Sequence, residues 1–105
     1  MTSTSAPSPA FTETVTESAQ ALVADCADSS ASQPAAESFV LNVIPESEHS
    51  ERAARLISGP LLHFVRAGAG ETRGAVSLRD MFALADCEHP QYVVDVLVET
   101  VRSHT

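Results

Sequence analysis

The sequence predicts a helix-rich α+β single domain with a short sheet or strand pair, and it leaves an all-α bundle as the alternative. Three observations carry that expectation. Apolar residues recur at spacings of three and four over 9–28, and Ala53, Ala54, Leu56 and Ile57 continue the pattern later, which is the period of a helix face. The run Ser38 to Ile44 (SFVLNVI) is short, β-branched and aromatic, and Pro45 stops it, which favours a strand at that length. The valine-rich segment 92–98 fits either period. A chain of 105 residues supports one modest core, because about 65% of the unfolded surface can be buried at this size.

In chain order, residues 1–8 are small and polar with Pro7 close by, the composition of a disordered tail. Ser8 followed by Pro9 reads as an N-cap and a first helical residue. Phe11, Val15, Ala19, Leu22, Val23 and Cys26 then line one face of an amphipathic helix over 9–28, with Glu13 and Glu17 in its early turns, where the dipole favours them. Residues 29–37 (SSASQPAAE) have a linker's composition, so this helix either folds back or stands off from a compact domain over 38–105.

Within that domain Ser47 is placed to cap a helix, and Glu48 with Arg52 and Glu51 with Arg55 form two pairs at i,i+4. Gly59 and Pro60 are stop signals for it. Leu61 to Arg66 (LLHFVR) fits a second strand or another helical turn. Ala67 to Gly74 holds three glycines and reads as a loop. Ser77 with Asp80 three residues on starts a short helix carrying Leu78, Met81, Phe82, Leu84 and Ala85, which ends near Cys87. Pro90 starts the last element. There Gln91, Asp95, Glu99 and Arg102 mark a polar helix face, although its valines cost a helix up to about 3 kcal/mol relative to alanine. A helix is preferred to a strand.

Charge excludes some functions. Residues 1–51 carry eight acids and no basic residue, residues 52–105 carry six acids and six arginines, and lysine is absent, so the net charge of -8 belongs to the N-terminal half. A field of that sign attracts basic partners and repels phosphate, which excludes direct nucleic-acid binding. No apolar run reaches the length of a membrane span. The N-terminus lacks the basic and apolar regions of a Sec signal. Cytoplasmic residence and reduced thiols at Cys26 and Cys87 are the expectation, and a leader of a specialised bacterial secretion system is the competing reading of the first residues.

The chemical motifs are thin. Gly68, Gly70 and Gly74 give G-x-G-x-x-x-G, which departs from the dinucleotide fingerprint, and a chain without lysine has no Walker motif. Cys87, Glu88 and His89 offer metal donors, yet zinc sites use a second pair, for which His63 and Cys26 are the distant candidates. A cysteine nucleophile would need one of these histidines beside it.

The sequence therefore points to no enzyme, no cofactor and no metal site. It points to a non-catalytic acidic protein-interaction or regulatory module whose partner is a protein, a basic one where charge selects it, or a second copy in a homodimer. Phe11, Val15 and Leu22 on the first helix are the candidate partner-binding residues. Two alternatives stand beside it: an acidic nucleic-acid mimic that sequesters a basic DNA-binding protein, and a small Cys/His metal-binding protein or enzyme.

Overall fold

A computed structural model describes residues 8–26, 32–68, 70 and 72–104. Among them there are five helices and no strand: α1 (Pro9–Cys26), α2 (Ser32–Val43), α3 (Ser50–Arg66), α4 (Thr72–Leu84) and α5 (Pro90–His104). The fold is an all-α bundle, and the α+β expectation with its strand pair is overturned. Each helix packs on the next, and α5 closes back on α1, so the five enclose one core in ring order. Phe39 of α2 meets Phe82 of α4 edge to face at its centre, with ring centroids 6.3 Å apart.

The helix α1 begins as its sequence dictates. The Ser8 hydroxyl accepts the Phe11 N–H at 3.2 Å, satisfying one orphan donor of the first turn behind Pro9. Val15, Ala19, Leu22 and Val23 are buried in the shared core. A Cα radius of gyration of 12.9 Å matches the roughly 13 Å of a compact chain of this length, with no helix standing off.

The expected strand at 38–44 belongs to α2 instead. Ala36, Phe39, Val40 and Val43 are buried while Leu41 and Asn42 are exposed, the i, i+3, i+4, i+7 pattern of a helix. The SFVLNVI window hid that period because it opened too late to include Ala36. The expected linker is overturned for 32–37, which form the first half of α2; 27–31 lie outside the described residues. Pro34 falls in the first turn of α2, where its missing N–H has no intrahelical partner to lose.

The stop predicted at Gly59 and Pro60 fails as well, because α3 runs through both. An internal proline costs a helix about 3 kcal/mol. Ile57 before it and Leu61, Leu62, Phe64 and Val65 after it are all buried, and at about 1.5–3 kcal/mol each their burial exceeds that cost. LLHFVR is thus helical. Helix α3 ends where Gly68 takes a φ of +83° and its N–H reaches the Val65 carbonyl at 3.1 Å.

Other details of the sequence reading shift with these boundaries. Helix α4 starts at Thr72 rather than after Ser77, so Gly74 is helical. Glu48 precedes α3, whose N-cap residue is His49; the Ser47 hydroxyl accepts the His49 N–H at 3.2 Å and caps no helix. Neither Glu48 with Arg52 nor Glu51 with Arg55 closes to an ion pair, whereas Arg79 and Asp80 lie 3.4 Å apart. Helix α5 presents Gln91, Asp95, Glu99 and Arg102 outward and buries Val93, Val94, Leu97 and Val101.

Candidate functional site

The residues singled out for partner binding are turned inward. Val15 and Leu22 are 0% and 1% exposed, so in this fold they hold α1 to its own domain and present nothing to a partner. Phe11 is half-buried, with its ring 5.5 Å from that of His89 and 6.3 Å from that of Tyr92, which pins the start of α1 against the start of α5.

The described donor atoms considered for metal or thiol chemistry are not assembled, and the Cys26 side chain lies outside the described residues. Among the described residues no group of three or more His, Cys, Asp or Glu side chains converges to hold a metal ion. Cys87 is a free, buried thiol at the α4–α5 connection, and His63 lies exposed on α3. Burial pushes the Cys87 pKa up, the charge of Glu88 adds to that, and a hydrogen bond with the His89 backbone opposes it. The balance favours the neutral thiol, the reverse of what a nucleophile needs. Of the glycine motif, Gly68 closes α3 and Gly74 lies within α4, and no strand among the described residues supplies a dinucleotide-binding context. Among the described residues no helix is long and apolar enough to cross a membrane.

What the sequence reading missed lies between α3 and α4. Leu56 is 69% exposed and Leu84 is 85% exposed, and with Ala53, Ile57, Met81 and Ala85 they line a shallow apolar cavity of about 380 Å³. A second cavity of about 510 Å³ adjoins it, shares Met81, and continues along Pro60, Phe64, His63 and Arg73. Together they form one groove from Ala53 to Ala67 along α3, roughly 21 Å at the helical rise. That length matches about four turns of a partner helix.

Local sequence explains why the seam stays open. Gly59 puts no side chain into it, and an added Cβ there would meet nothing within 4 Å. Pro60 gives no N–H to the carbonyl of Leu56, which lies at the exposed surface. Leu56 sits on the outer, polar side of α3 and Leu84 at the last residue of α4, so neither belongs to the stripe that packs inward. The periodicity groups Leu56 with Ala53, Ala54 and Ile57, and the structure corrects this: Leu56 is turned out beside Arg52 on the polar face, which has meaning only once α4 is known to lie alongside.

The groove's electrostatics differ from those of the whole chain. Helices α3 and α4 carry five arginines (Arg52, Arg55, Arg66, Arg73, Arg79) against Glu51 and Asp80, a local net charge of +3. Helices α1 and α2 carry Glu13, Glu17, Asp25 and Glu37 with no basic residue. Arg52 lies one turn before Leu56 on the same face, and Arg73 lines the other end.

No family model, no curated protein and no solved structure matches this chain.

Proposed function

We propose that this chain is a non-catalytic protein-interaction module that receives a helix of a protein partner in the groove between α3 and α4. The observation that carries the reading is the pair Leu56 and Leu84, two leucines more than two-thirds exposed on the rims of one apolar channel. Apolar side chains gathered into a patch mark interaction sites, whereas scattered ones are ordinary surface. Covering both leucines contributes about 3–5 kcal/mol to association, which suits a reversible regulatory contact.

The test is a comparison of captured proteins. A partner held by the native chain and lost with the Leu56→Glu, Leu84→Glu double variant, while both chains melt alike, supports the reading. A partner retained by the double variant removes it.

A second reading is supported by a separate feature. The exposed carboxylates of Glu13 and Glu17 on α1 stand with no basic side chain on α1 or α2 to neutralise them, as a mimic of nucleic acid requires. It predicts salt-sensitive retention on an immobilised basic DNA-binding protein, abolished by Glu13→Gln, Glu17→Gln and indifferent to Leu84.

A further inference from the structure

We infer that the occupant of the α3–α4 groove is an acidic amphipathic helix of a different protein, an assignment that rests on the groove being the docking surface. Three features select it. The channel is lined by aliphatic side chains along Leu56, Met81 and Leu84, which calls for an apolar stripe on the incoming helix. The two helices that form it carry a net charge of +3 within a chain of net charge -8. At the groove itself Arg73 lines the far lobe beside His63 and Arg52 stands one turn from Leu56, while Asp80, one turn before Leu84, is paired with Arg79 at 3.4 Å.

The same charges select against a second copy. A two-fold dimer through this seam is self-complementary by symmetry and sets each surface against itself, so the arginines of α3 and α4 on one copy would face those on the other. Placing the acidic α1 or α2 of one copy in the groove of the next is a head-to-tail contact, which grows filaments unless its rotation closes. A basic helix, the partner expected from net charge, would bring like charges to both rims.

The test uses the full chain and three labelled helical peptides of about 14 residues with one shared leucine stripe. Their flanking positions are all Glu, all Gln or all Arg. Fluorescence anisotropy should rank them Glu, Gln, Arg, with the Glu peptide bound about 10-fold more tightly than the Gln peptide at about 0.1 M salt and the gap closing towards 1 M. Arg52→Glu with Arg73→Glu should reverse the order of the Glu and Arg peptides, and Leu84→Glu should remove binding of all three. Arg52, Arg73 and Leu84 are exposed, so circular dichroism of both variants should match the native chain.

Equal binding of the Glu and Gln peptides, lost with Leu84→Glu, would overturn the acidic assignment and leave the docking surface standing. A dimer by sedimentation that dissociates in Leu84→Glu would overturn it in favour of a second copy. No binding by any peptide, with a monomer at every concentration, would overturn the assignment and the docking surface together.

Discussion

Leu22→Ala and Leu84→Ala delete the same atoms from the same residue type, and the fold assigns them opposite consequences. Leu22 is 1% exposed on the inner face of α1, and Leu84 is 85% exposed on the groove rim. Truncating a buried leucine removes its transfer free energy and leaves a cavity that neighbours fill only in part, at about 2–5 kcal/mol. Taking about 3 kcal/mol and 4–8 °C per kcal/mol for a domain of this size, Leu22→Ala should lower Tm by about 12–24 °C. That is a large share of the roughly 5–15 kcal/mol available to such a domain. Leu84→Ala should stay within about 0.5 kcal/mol. Thermal and urea unfolding followed by circular dichroism measure both, and unchanged m-values would show that the same surface is exposed on unfolding. A Leu22→Ala chain melting within about 2 °C of the native protein would refute the placement of α1 in the core. So would two separate transitions, one of them carrying about a quarter of the helical signal.

Asp86 occupies the left-handed position after α4 with a φ of 65°, where the Cys87 N–H reaches the Phe82 carbonyl at 3.0 Å and the Asp86 N–H reaches that of Ala83 at 3.1 Å. Glycine normally fills this place, and an acidic group also opposes the dipole there, so Asp86→Gly should raise stability by about 1 kcal/mol, read as a higher urea midpoint. Pro60→Ala should stabilise α3 by about 1–3 kcal/mol by restoring an N–H for the Leu56 carbonyl; a lower Tm would show that the proline is required for packing. Burial raises the folded pKa of Cys87 above its ordinary 9.0, so only the unfolded chain ionises readily there. The resulting stability is complete below that ordinary value and declines as pH rises through it. Urea midpoints from pH 7 to 10 should fall more steeply for the native chain than for Cys87→Ala.

Local rules made much of this fold legible. The Ser8 cap, the α1 stripe, the Pro90 start and the polar face of α5 each follow from two or three neighbouring residues, and those features hold in the structure. The failures share one physical origin. Pro60, Gly59 and Gly74 are breakers judged by intrinsic propensity, and in α3 and α4 they are outweighed by the burial of Ile57, Leu61, Phe64, Leu78 and Phe82. The order of terms reverses at Gly68, where the chain has left the core and a left-handed glycine does end the helix. The candidate site was less legible still. Leu56 and Leu84 are 28 positions apart, and nothing within either local window announces that they meet across a seam.

On the proposed reading net charge is a poor guide to the partner for a related reason, since it sums over surfaces that a docking partner never sees together. The molecule measures 26 Å across its shortest axis, and α1 packs mainly on α2 and α5 and only lightly on α3. At about 0.15 M salt the electrostatic range is only about 8 Å. A helix entering the groove is therefore governed by Arg52 and Arg73 rather than by Glu13 and Glu17. Only near 0.01 M, where the range grows to about 30 Å, does the whole acidic chain oppose an acidic partner. On the proposed reading the sign of the partner is thus set by the groups nearest the seam, of which Arg73 lines it and Arg52 flanks it.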